Sequence, residues 1–135
     1  MSLTESKMVS VEFRPTTYSR VMKLFPETKN SELVFSLSTE LYLIVDEDTG
    51  NTVGMCGFRW GTDTVTFKNA YIHPMWRNRG YNTAALDKRI EMARERGMRR
   101  IDGNLTKPSA REWARRGAEI RKEYKNGVVL ASLYL

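Results

Sequence analysis

Ile72-His73-Pro74-Met75-Trp76-Arg77-Asn78-Arg79-Gly80-Tyr81-Asn82-Thr83-Ala84-Ala85-Leu86 is the stretch on which the reading of this 135-residue chain turns. It leaves a β-strand pattern, crosses a loop with two arginines and a glycine, and enters a helical pattern. Such a junction suits an anion, because the first N–H groups of a helix lack intrahelical acceptors and together carry about half a positive charge. Gly80 lets the backbone turn and approach phosphate oxygens with no side chain between them. Arg77 and Arg79 can add charge-assisted hydrogen bonds, each contributing about 1.5–3 kcal/mol when well placed.

Upstream of this stretch, Val9 to Arg14 alternates apolar and polar residues and meets Pro15, as a short strand does. Tyr18, Val21, Met22 and Phe25 fall at helical spacing within Thr16 to Phe25, and Pro26 stops that helix. Asn30 and Ser31 offer caps for a second short helix through Leu33, Val34 and Leu37. Leu41 to Val45 and Thr52 to Trp60 form a hairpin about the turn Asp48 to Asn51, and Gly61 to Asp63 leads into a third antiparallel strand, Thr64 to His73.

Downstream, Leu86, Ile90, Ala93 and Gly97 recur at helical spacing, with Asp87, Lys88, Glu91, Arg94 and Glu95 on the other side. Arg100 to Leu105 is a strand, Pro108 and Ser109 start a helix that Gly117 ends, and Ala118 to Tyr124 pairs with Val128 to Leu135 across Asn126-Gly127. The order predicts an α+β fold: a mixed, mostly antiparallel, seven-stranded sheet flanked by about four helices. Right-handed crossover geometry makes Thr64 to His73 and Arg100 to Leu105 parallel neighbours.

Length and composition set bounds. A chain of this size builds one ordinary core, and 41% hydrophobic with 28% charged residues is the balance of a globular domain. One domain is expected over residues 8–135, with 1–7 a disordered start or an expression remnant. The only cysteine, Cys56, lies in the apolar run Val53, Met55, Phe58, where it serves as a small core residue and fits a reducing cytoplasm. No stretch is long and apolar enough for a membrane span, and no signal-peptide pattern opens the chain. The net charge of +6 concentrates between Arg94 and Arg100 and between Arg111 and Lys125. It is either a solvated basic face, a nucleotide-phosphate site or a nucleic-acid surface. One histidine and one cysteine cannot assemble an ordinary zinc site, so no metal is expected.

The loop Arg77-Asn78-Arg79-Gly80-Tyr81-Asn82, followed by Thr83 and Ala84, resembles the coenzyme A loop of the GCN5-related N-acetyltransferases, Gln/Arg-x-x-Gly-x-Gly/Ala. Ile72-His73-Pro74 looks like the hydrophobic-x-Pro that ends that family's fourth strand, and the order of elements agrees over essentially the whole chain. The resemblance implies acetyl-CoA as acyl donor, bound by Ile72, His73, Arg77, Asn78, Arg79, Gly80, Tyr81 and Asn82, with Lys107 toward the pantetheine arm. Three departures matter. Asn82 stands where the family prefers Gly or Ala, so either the helix start sits further from the pyrophosphate or the amide contacts it. Trp113 stands four residues before Gly117, where the family places a tyrosine that protonates the departing thiolate. Lys107-Pro108-Ser109-Ala110 also replaces the family's Asn-x-x-Ala.

Attack on a thioester needs a neutral amine, yet an amine of pKa ~10.4 is neutral in about one molecule in several thousand near pH 7, so a proton acceptor is required. Asp102 and Asn104 share one face of a strand that splays from its neighbour in the resembled fold, which makes Asp102 the first choice of base. The alternative is a surface carboxylate paired with Arg100 or Arg99. His73, beside the loop, is either a backbone-positioning residue or a base. Tyr124 and Ser109 are replacement acids, and Phe58, Trp60 and Tyr71 are core or pocket wall. The function expected is acetyl transfer from acetyl-CoA to a primary amine on a small molecule or peptide. The alternatives are an inactive coenzyme-binding or protein-interaction domain, and a nucleic-acid module, for which a base-reading motif and an aromatic platform are lacking. The apolar final strand to Leu135 leaves an edge on which a homodimer could form.

Overall fold

Residues 9–30 and 39–135 are described by the computed structural model. The strands run β1 (Val11–Thr16), β2 (Glu40–Asp46), β3 (Thr52–Trp60), β4 (Thr64–Ile72), β5 (Arg100–Leu105), β6 (Glu119–Glu123) and β7 (Val129–Tyr134). The helices are α1 (Tyr18–Leu24), α2 (Tyr81–Glu95) and α3 (Lys107–Arg115), with single 3-10 segments after Phe25 and His73. The helix expected through Leu33, Val34 and Leu37 lies outside the described residues, as do residues 1–8.

Among the described residues, seven strands form one sheet in the order β1-β2-β3-β4-β5-β7-β6. Every pair is antiparallel except β4 and β5, joined through α2 as the strand-helix-strand order requires. Two expectations about sheet margins change. Pro15 does not end β1 but lies within it, opposite Tyr42, because β1 is an edge strand where a missing N–H can face away from the ladder. The final strand is not an edge. β7 lies between β5 and β6, since the Asn126-Gly127 turn folds β6 onto its outer side.

Each sheet face has its own core. On one, Val21 and Phe25 from the α1 segment pack on Leu41, Leu43, Val45 and Met55. On the other, Leu86, Ile90 and Ala93 of α2 and Trp113 of α3 cover Ile44, Cys56, Phe58, Phe67 and Ile101. Removing such side chains from water is the main stabilising term, about 1.5–3 kcal/mol for each large one. The apolar stripe of α2 thus lies over the centre of the sheet and holds its N-terminus at one end of β4. No helix among the described residues is long and apolar enough to cross a membrane.

Two irregularities shape the centre. β4 and β5 pair only from Thr64 opposite Arg100 to Phe67 opposite Gly103, and beyond that point the strands part. β5 stays with β7 as far as Leu105 opposite Val129, while β4 stays with β3. Along β4, the pairing with β3 shifts by one residue between Lys68 and Tyr71, so residues 69–70 bulge opposite Cys56.

Candidate active site

The apex of the opening is closed by one side chain. Trp113 is buried and meets Phe67 edge to face at 5.7 Å, and a Cβ on Gly103 would stand 2.7 Å from its Cη2. Glycine is therefore what allows the indole to lie flat on β5. Above this wedge the parted strands, α2 and α3 bound a cavity of about 210 Å³. It adjoins an open groove of about 760 Å³ that reaches Arg77, Gly80 and Asn82. Tyr71, Ile72, Asn82, Thr106 and Ser109 line both.

At the groove's outer end α2 begins with no side-chain cap. Gly80 has φ +88° and Asn78 φ +62°, so the loop turns twice through the left-handed region before the helix starts. Arg77 donates from Nε to the Ile72 carbonyl at 2.8 Å and lies 5.6 Å from the Tyr71 ring. Arg79 lies over Trp76 at 5.2 Å. Tyr81 turns inward, where its hydroxyl donates to buried Asp46 and ties the helix start to the end of β2. Burial and that carboxylate push the Tyr81 hydroxyl up to about 12, and the hydrogen bond from Tyr81 holds Asp46 below the usual carboxylate range. An uncapped helix of 15 residues, preceded by a loop with two guanidinium groups, fits a pyrophosphate.

The other residues singled out from sequence divide. His73 accepts the Met75 N–H at Nδ1 over 3.2 Å, capping the turn, while its Nε2 is 3.8 Å from Glu27 Oε2. Asn82 is exposed on the first turn of α2 and lines the groove, whereas Lys107 begins α3 and places Nζ 3.2 Å from Glu123. Asp102 lies in the paired part of β5, opposite Thr66. It accepts Ser132 Oγ at 2.6 Å and Arg100 Nη2 at 3.1 Å, and it lines neither cavity nor groove. Ser109 lines both, its backbone N–H bound to the Thr106 hydroxyl that caps α3. Tyr124 is with Lys122 at the β6-β7 turn, away from the opening.

Tyr71 lines the opening, as its reading as pocket wall expected. Three features escape a reading by strand and helix pattern. The first is the partner of Tyr71, which donates its hydroxyl to Glu27, from the segment after α1. Burial and this carboxylate push Tyr71 up to about 12, while the hydrogen bond from Tyr71 lowers Glu27. Arg89 is 4% exposed and lines the cavity. Its position next to Ile90, three residues after Leu86, was the signal available, an arginine on the apolar stripe of α2. The basic run is the third. Arg116 joins Glu112 at 2.7 Å and Asp87 at 2.9 Å, Arg96 reaches Glu40 and Arg100 reaches Asp102. These arginines tie elements together within the chain, and Arg116 fixes α3 to α2 at the foot of the cavity.

Among curated proteins none matches the chain significantly in sequence. Solved structures share its fold at low identity. A domain from Methanocaldococcus jannaschii superposes with a TM-score of 0.75 at 10% identity, covering 94% of this chain and 99% of that one. A spermidine N-acetyltransferase from Vibrio cholerae gives 0.73 at 9% identity, covering 93% and 94%. A GNAT family acetyltransferase from Elizabethkingia anophelis, solved with acetyl-CoA bound, gives 0.68 at 16% identity, covering 96% and 99%. The sequence profile described as acetyltransferase (GNAT) family matches residues 7–118, from before β1 to the end of the α3 region. On that match, with a sheet parted beside an uncapped α2, the chain belongs to the GNAT acetyltransferase family.

Proposed function

We propose that residues 8–135 are one N-acetyltransferase domain that moves an acetyl group from acetyl-CoA to a primary amine by direct attack. The observation that carries this reading is the continuity of the groove: it begins at the open helix end beside Arg77 and Gly80 and runs into the cavity between β4 and β5. The donor supplies an activated acyl carbon. The N-terminal N–H groups of α2 and the two arginines bind its phosphates. The parted strands leave backbone groups of β4 and β5 beyond Phe67 and Gly103 to orient the arm by hydrogen bonds, and alignment of this kind supplies much of the rate. Tyr71 and Glu27 form the acceptor side. The Glu27 carboxylate, kept ionised by the hydrogen bond from Tyr71, attracts a protonated amine, and water in the open groove carries the amine's proton away. Ser109, on the α3 side and lining both cavity and groove, takes the role left open by Trp113. Asp102 acts as a strut between β5 and β7 and is not given the base's part. The acceptor is a small-molecule or peptide amine, the working assembly a homodimer, and the compartment the cytoplasm, where Cys56 stays reduced.

Burial of Trp113 favours one second reading, a coenzyme-binding domain without catalysis. Calorimetry with CoA separates success from failure. Arg77→Ala weakens CoA binding about ten- to a hundredfold through lost charge-assisted hydrogen bonds, and added salt weakens the wild type. Gly80→Val is worse, because a β-branched residue opposes a φ of +88°. Absence of CoA binding by the wild type, or both variants binding as tightly as wild type, overturns the phosphate-loop assignment. Binding without turnover on any amine leaves the second reading in place.

A further inference from the structure

Arg89 is a buried cation without an anion. Its Nη2 donates to the Gly57 carbonyl at 2.8 Å and the Lys68 carbonyl at 3.1 Å. Its guanidinium carbon lies 4.2 Å from the Phe67 ring centre and 5.3 Å from that of Phe58. Its Nε has no hydrogen-bond partner, and among the described residues no carboxylate pairs with it. Carbonyl dipoles and aromatic faces offset only part of what burying a full charge costs. Its neighbours along the same stripe of α2 are Leu86, Ile90 and Ala93, and its hydrogen bonds go only to two carbonyls that flank the bulge, which neutral donors could satisfy.

The residue's place gives the charge a use. Arg89 is eight residues beyond Tyr81, roughly 12 Å down the helix axis, so it lies toward the closed end of the opening. There it contacts β3 and β4 at the foot of the bulge and shares the cavity lining with Phe67, Leu86 and Trp113. On the proposed reading, in which the donor's phosphates sit at the start of α2, the acyl end of the donor points into this region. A carboxylate brought there would meet a guanidinium with no carboxylate partner, in a lining that mixes Phe67, Leu86 and Trp113 with Asn104, Ser109 and Glu112, the last already paired with Arg115 and Arg116.

We infer that the acyl pocket also takes, and favours over acetyl, an acyl chain ending in a carboxylate, with Arg89 as the residue that selects it; this rests on the proposed transfer from coenzyme A to an amine and changes only the acyl group carried. The transfer is otherwise unchanged. The amine nitrogen forms a bond to the acyl carbon, the carbon–sulfur bond breaks, and CoA leaves as thiol with the proton the amine gives up. The product amide keeps the free carboxylate.

Two stable thioethers of equal chain length test the inference without turnover: S-carboxypropyl-CoA and S-butyl-CoA, titrated into the intact protein by calorimetry with bare CoA as reference. The wild type is expected to bind the carboxylated thioether tighter than the neutral one, on the order of tenfold to a hundredfold. Arg89→Gln should erase that ratio, and Arg89→Lys should keep part of it. If neither variant folds, the wild-type ratio still decides. CoA binding with equal affinity for the two thioethers, or tighter binding of S-butyl-CoA, overturns the inference while leaving the acyltransferase reading intact. No binding of any CoA compound overturns both. No preference among thioethers, combined with faster transfer to carboxylated amines than to their neutral amides, assigns the carboxylate to the acceptor and overturns the inference.

Discussion

Replacing Gly103 by alanine adds one methyl group at the apex of the active-site opening. Its Cβ would lie 2.7 Å from Cη2 and 3.1 Å from Cζ2 of Trp113, and 3.1 Å from Leu105 Cδ2. The indole cannot swing clear without leaving Phe67 and the α2 stripe. Overpacking of this kind costs about 1–3 kcal/mol, and alanine recovers about 0.5–1 kcal/mol over glycine within a strand. The net loss is about 0.5–2 kcal/mol, a fall in melting temperature of roughly 2–8 °C for a chain of this size. Trp113→Phe removes the crowded ring carbons, so the two substitutions together should be better tolerated than their separate effects add up to. Thermal unfolding of wild type, both single variants and the double variant gives the coupling directly. A value within about 0.5 kcal/mol of additivity, the tolerance for independent sites, would refute the claim that glycine at this position exists to seat the indole. A displaced indole also narrows the cavity, so CoA affinity should fall in Gly103→Ala and recover in the double variant.

Glu112 is held below its ordinary value of 4.5, chiefly by the hydrogen bond from Arg116. A lowered carboxyl stabilises the folded chain fully above its unfolded value and loses that contribution as pH falls through the lowered folded one. Glu112→Gln should therefore cost about 1 kcal/mol at neutral pH and flatten the loss of stability below pH 4.5, read by denaturant unfolding across that window. Cys56 is fully buried, and burial raises its thiol to about 11. Thiol reagents should label it only on unfolding; labelling of native protein at the rate of a free thiol would contradict its place in the core.

Much of the fold was legible because each signal was local. The Asn126-Gly127 turn, the prolines at 26 and 74 and the period change after Gly80 each act through a few neighbouring dihedrals, and each stands where the sequence put it. The parting of β4 from β5 depends on β7 taking the far side of β5 and on Trp113 filling the apex, contacts between residues far apart in sequence. The bulge was written more faintly: Val65 and Phe67 keep even spacing on one face, then Ile72 joins the same core after an odd step. For the site, the loop Arg77 to Asn82 could be read as a motif because its chemistry is one of backbone and charge. Glu27 meets Tyr71 only through tertiary folding, and Asp102 finds Ser132 across thirty residues. No spacing rule reaches those distances.

The two margins of the sheet have a consequence for how this chain behaves in a crowd. At one margin, Pro15 takes a donor out of β1. At the other, β6 is Glu119-Ile120-Arg121-Lys122-Glu123, exposed throughout and irregular in its pairing between Ile120 and Lys122. A neighbouring strand trying to dock would find a missing donor on the first edge, and on the second a row of charges set on a broken register. Among the described residues the sheet therefore ends at these two strands, and a stable association of copies is expected to form through a face or a loop. An architecture that is open at both ends in topology is closed at both ends in chemistry, which lets it stay extended beside the groove without becoming a template for fibres.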